Sequence, residues 1–162
     1  MSDDVRAALD LAPCEQVGFV VKDLDAALAG ADFVVKAIEV DRYLYWSQDF
    51  HIPRRYGFLQ VYGENGGPGG LAHTLRQVPE MMAIARDMER LCPEALLLNY
   101  TNPMVMLCWA IEQLCSIRYV GLCHSVQGTA MALADYIDVP FNEVSYWVAG
   151  INHMAWFLKF LW

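Results

Sequence analysis

Three short apolar runs, ADFVVKAIEV, ALLLNY and IRYVGLC, recur along the chain, and helical periodicity follows them. A continuous apolar run of this length, bounded by turn signals, reads as a strand buried on both faces, as in a parallel sheet covered by helices. Parallel neighbours need a long crossover between them, usually a helix. The alternation therefore predicts an α/β fold built on a parallel sheet.

Strands are expected at 33–40, 95–100 and 117–123. The aromatic-rich segment 41–56 is expected to be helical in part. GENGGPGG reads as a loop, because its five glycines and one proline oppose a regular element. Helical spacing resumes over 71–91, with Pro79 disturbing its middle unless a kink is accommodated. Thr101-Asn102-Pro103 reads as a helix start, with Asn102 at the N-cap and Pro103 in the first helical position, the helix running to about residue 115. A further helix is expected over 126–136, and VSYWVAGIN alternates as a strand does. In such folds the loops that bind ligands leave the carboxyl ends of the strands. Three segments fall there: the residues after Val40, the Thr-Asn-Pro turn and the Cys-His-Ser turn at 123–125.

With 162 residues, 56% of them apolar and only 19% charged, the chain can bury a core, and its composition argues against disorder. A formal net charge of −8 makes nucleic acid and anionic membrane surfaces unfavourable partners. No run approaches the ~20 apolar residues of a spanning helix; Asn99, Thr101, Asn102 and Pro103 break the best candidate. MSDDVRAALD is not a secretory signal, and five cysteines without scaffold spacing read as reduced thiols in a cytoplasmic setting. The sequence stops on the apolar run FLKFLW, so the chain is expected to be a piece of something longer.

Taken singly, the polar residues at the expected sheet edge have ordinary readings. Cys123 is a small buried hydrophobe by the habits of free cysteine, and His153 a hydrogen-bonded core histidine. Asn102 is sufficiently explained as a cap, and Glu64 as a solvated loop carboxylate. Together, Cys123 and His153 each end a strand beside a glycine, Gly121 or Gly150. Two protein ligands would leave open positions on a metal, which suits catalysis rather than a structural site. The spacing matches no zinc finger, and GPGG matches neither the Walker loop nor the dinucleotide fingerprint.

Read in order, GPGG, NYTNPM, GLCHSVQGTA and AGINHMAWFL resemble the NAD- and divalent-metal-dependent glycosidases of glycoside hydrolase family 4. The CHSV form of the third motif is most similar to the α-galactosidase (melibiase) branch. The resemblance runs from about residue 23 to residue 162. It implies a Rossmann-like core, with residues 1–150 as a truncated NAD-binding domain and 151–162 as the start of a substrate domain. It implies Cys123 and His153 as ligands of Mn2+ or another divalent ion, Asn102 as a substrate-binding residue, and Glu64 at an acidic position that supports the catalytic tyrosine. His124 stands where the phospho-glucosidase branch carries a proton-donating aspartate, which implies an acid role. The family's chemistry uses NAD to oxidise C3 of the sugar, then eliminates the leaving group with metal help and adds water, outside the usual two-carboxylate scheme. Small-molecule glycosides and a homo-oligomeric assembly are the partners implied.

Departures from the family pattern are equally plain. Residues 1–30 lack the strand and glycine turn that hold the NAD pyrophosphate, and Asp41-Arg42-Tyr43 replace small glycines after AIEV. Trp46 stands near the position where the phospho-sugar branch has an arginine, which favours an unphosphorylated sugar. The half of the family that carries the catalytic tyrosine has no counterpart in this sequence, so little turnover is expected from the chain alone. Two rival readings are an assembly-dependent, non-catalytic remnant and a lactate/malate-type dehydrogenase relative sharing the Asn-Pro turn. α-Glucosidase or α-glucuronidase specificity is the alternative within the family.

Overall fold

The computed structural model describes residues 23–59, 66–151 and 154–162. The apolar runs form the expected sheet: β1 (Phe33–Lys36), β2 (Leu96–Asn99) and β3 (Arg118–Gly121) are parallel in the order β1-β2-β3. Phe33 pairs with Leu96, and Leu96 with Arg118, so the three strands start and end level. β1 stops at Lys36 rather than Val40, because β2 offers it only four partners.

Helices pack on this sheet. Asp23 starts α1 (Leu24–Leu28), its carboxylate accepting from Ala26 N at 3.0 Å. α2 (Arg42–Arg55) and α3 (Gly67–Leu91) follow β1. α4 (Met104–Leu114) links β2 to β3, and α5 (Ser125–Tyr136) follows β3. After one 3₁₀ turn at Phe141–Glu143, β4 (Ser145–Ile151) and β5 (Met154–Leu161) pair antiparallel, with an irregularity between Trp147 and Val148. The apolar FLKFLW segment is thus mostly β5, and the expected domain boundary after residue 150 falls inside β4.

Two further expectations are corrected. α3 begins at Gly67, so GPGG is its first turn and not a loop. Pro68 sits where a missing N–H costs little, and Gly69 lets α3 approach α2: a Cβ there would lie 3.1 Å from the Asp49 carbonyl carbon. Pro79 stays inside a continuous 25-residue helix. At α4, the boundary residue is Pro103 and not Asn102, because the Pro103 carbonyl accepts the first helical bond from Leu107 N at 3.1 Å.

The core lies between the sheet and these helices. Met81, Ala85 and Met88 share one face of α3, and Leu107 and Ile111 one face of α4. They close on Leu97 at the centre of β2, with Leu28, Ala95 and Ile117 around it. Asp49 on α2 forms a two-pronged ion pair with Arg76 on α3, one prong at 3.1 Å. Among the described residues, no helix is long and apolar enough to cross a membrane.

Candidate active site

The carboxyl ends of β1, β2 and β3 are tied together by a small set of hydrogen bonds. Asn99, fully buried at the end of β2, accepts from Thr101 N through Oδ1 and donates to Thr101 O through Nδ2, both at 3.1 Å. Its carbonyl accepts from Leu122 N at 2.9 Å, which holds the loop after β3. Tyr100 N donates to Lys36 O at 2.9 Å, and Thr101 Oγ1 donates to Ile38 O at 2.9 Å. The side-chain bonds satisfy polar groups that burial would otherwise leave costly. The three edge loops are therefore joined to one another, and Asn102 is exposed upon them.

Cys123 lies at the same edge, two residues beyond β3. Its thiol is exposed, with Sγ 3.2 Å from Ser125 Oγ. It opens into a groove of about 560 Å³ walled by Met104, Val105, Trp147, Gly150 and Ala155. Gly150 and Ala155 are paired positions of the β4–β5 hairpin. The hairpin end thus stands across the groove from the thiol. His124, exposed at the start of α5, lines an adjoining groove of about 510 Å³ that also has Ser125, Val126, Val148 and Ala155 in its walls.

The structure thus brings Asn102, Cys123 and His124 to one sheet edge, as the sequence predicted. His153 and Glu64 lie outside the described residues. Among the described residues, no group of three or more His, Cys, Asp or Glu side chains could hold a metal ion. Cys123 fits such an ion as a ligand: its sulfur is exposed, a hydroxyl adjoins it, and the groove leaves room for further donors. No described strand–glycine turn–helix unit offers a pyrophosphate cradle.

Sequence reasoning missed a second polar cluster at this edge. Glu39 Oε1 lies 3.0 Å from Nε2 of the buried His73, and Oε2 lies 3.3 Å from Arg42. Behind it, burial pushes the Lys36 ammonium down to about 8, against the opposing pull of Glu80 and Glu39. Among the described residues, Lys36 Nζ and the Gln77 amide find no hydrogen-bond partner. The available signal was chemical: a lysine and a glutamate inside an otherwise apolar strand run are poor core residues unless something meets them.

Residues 15–139 match the profile of a family described as family 4 glycosyl hydrolase. An α-glucosidase from Erwinia rhapontici is 39% identical over 93% of this chain and 34% of its own length. An α-galactosidase from Bacillus subtilis (strain 168) is 42% identical over 85% of this chain and 32% of its own. The chain spans about a third of the length of these curated relatives. Among solved structures, a 6-phospho-α-glucosidase from gut microorganisms, in complex with NAD and Mn2+, superposes with a TM-score of 0.78 at 22% identity, covering 86% of this chain and 32% of that one. The malate dehydrogenase of Picrophilus torridus superposes with a TM-score of 0.54 at 21% identity, over 76% of this chain and 33% of that one. These structures share the Rossmann-like arrangement of sheet and helices seen here.

Proposed function

The chain belongs to family 4 of the glycosyl hydrolases, and from that premise we propose that it forms the metal-binding edge of an α-glycosidase acting on an unphosphorylated α-galactoside. The observation that carries the reading is the exposed Cys123 thiol facing the end of the β4–β5 hairpin across a groove large enough for a sugar. Cys123 and His153 would hold the divalent ion, Mn2+ in the first instance. The ion and NAD, when bound, supply Lewis-acid and hydride chemistry.

The chain's own residues orient the sugar and handle protons. Asn102 presents an amide that can donate to one sugar hydroxyl and accept from another. His124, in the adjoining groove, carries a proton on its ring for the leaving oxygen. Glu64 is assigned the supporting acidic role. The hairpin, with Trp147 and Ala155, walls one side of the groove.

Galactoside preference rests on the CHSV motif and on the Bacillus subtilis α-galactosidase relative. An α-glucoside is the second reading, favoured by the Erwinia rhapontici relative, which matches more of the chain. Trp46 gives no cation for a sugar phosphate. The Arg42 guanidinium that lies 5.5 Å from its ring is already matched by Glu39. A cytoplasmic homo-oligomer completes the proposal, and light scattering at several concentrations tests the assembly.

Titration of the chain with methyl α-D-galactopyranoside, the matching glucoside and the matching galacturonide, with Mn2+ and NAD present, tests the specificity. The galactoside is expected to bind tightest and to require Mn2+. Turnover of p-nitrophenyl α-galactoside by this chain is expected to stay near background. Preference for the galacturonide, or binding indifferent to Mn2+, contradicts the proposal.

A further inference from the structure

The hydrogen bond from Thr101 Oγ1 to Ile38 O, at 2.9 Å, joins the loop after β1 to the loop after β2. The residue that follows each partner is polar: Glu39 after Ile38, and Asn102 after Thr101. Neighbouring parallel strands lie about 4.8 Å apart, and the clamp likewise keeps the backbones that carry Glu39 and Asn102 close together at the carboxyl edge. We propose that Glu39 is a second sugar-binding residue, accepting a hydroxyl hydrogen bond beside Asn102, with Thr101 and His73 as its positioning residues. The inference rests on the reading of Asn102 as a sugar ligand.

Three observations support it. Each oxygen of the Glu39 carboxylate has a nitrogen neighbour, His73 Nε2 at 3.0 Å and Arg42 at 3.3 Å. Each oxygen keeps a further lone pair, and the side chain remains 18% exposed where a purely internal ion pair would be closed off. The two functional groups are also complementary in kind: a carboxylate only accepts, whereas an amide both donates and accepts. Neighbouring hydroxyls of a pyranose ring suit that pair, because each hydroxyl can donate to one group and accept from the other. A hydroxyl bonded to a charged acceptor binds more strongly than one bonded to a neutral one.

The competing account makes Glu39 only a tie between the β1 loop and α3. Methyl α-D-galactopyranoside and its monodeoxy analogues separate the two when titrated into the chain, with the Asn102 side-chain amide resonance as a second readout. In the wild type, removing one particular hydroxyl is expected to weaken binding about tenfold, as for a lost bond to a charged group. In Glu39→Ala the parent sugar should bind about tenfold more weakly, and that same analogue no worse than its parent. Thr101→Val, which removes the clamp while keeping the shape, should lose the same coupling. Should Glu39→Ala fold poorly, Glu39→Gln keeps an acceptor in place and should retain a reduced form of it. If every analogue loses the same affinity in wild type and variants, Glu39 is a structural tie and the inference is overturned. If the sugar binds without moving the Asn102 resonance, the underlying site reading falls with it.

Discussion

Gly121, the last residue of β3, lies against the side chain of Met104 at the start of α4 with no space for another carbon. A Cβ at Gly121 would stand 2.8 Å from Cys108 Sγ and closer still to the Met104 sulfur. Met104 also walls the Cys123 groove. Gly121→Ala is therefore expected to cost about 1–3 kcal/mol through overpacking, and to change the rate at which Cys123 is alkylated. Denaturant unfolding and thiol labelling check both effects. An unchanged unfolding midpoint would show that α4 yields freely.

The ion pair between Asp49 and Arg76 joins α2 to α3 from partly buried positions, with the Asp49 side chain 5% exposed and that of Arg76 22%. Removing one partner strands the other. Asp49→Asn is expected to destabilise the chain by about 2–4 kcal/mol, below the full cost for a wholly buried pair because Arg76 reaches solvent. Pairing it with Arg76→Met should recover part of that loss in a double-mutant cycle. A loss under about 1 kcal/mol for Asp49→Asn would mark the pair as ordinary surface electrostatics.

Lys36 sets a pH dependence of stability. Its folded value of about 8 lies below the ordinary 10.5, chiefly because burial disfavours the ammonium. Between these values the unfolded chain binds more protons, so stability rises with pH across the window and is lost as pH falls through about 8. Lys36→Met should remove this slope and stabilise the chain near neutral pH by about 1–3 kcal/mol. Unfolding free energies measured from pH 7 to pH 10 decide it; an identical slope in the variant would assign the dependence elsewhere.

The sheet was legible because β2 and β3 are short apolar runs bounded by polar turns, a pattern that parallel strands share. Burial on both faces holds for β2 alone, since β1 and β3 keep exposed positions. The edge positions of Asn102, Cys123 and His124 followed from topology alone. Tertiary contacts overrode local preference elsewhere. The glycines of GPGG oppose a helix in isolation, yet Gly69 is what lets α3 meet the Asp49 backbone. β1 was read too long, since strand length depends on a partner that the run itself does not specify. Glu39 with His73 and Asp49 with Arg76 are contacts between residues far apart in sequence, and no periodicity reports such pairs.

The most direct test of the central claim is Mn2+ binding, measured calorimetrically on the reduced chain and on its Cys123→Ser variant. The reduced chain is expected to bind the ion, with affinity falling about tenfold or more in the variant and disappearing once the thiol is oxidised. Equal Mn2+ affinity in wild type and Cys123→Ser would contradict the assignment of this sheet edge as the metal site.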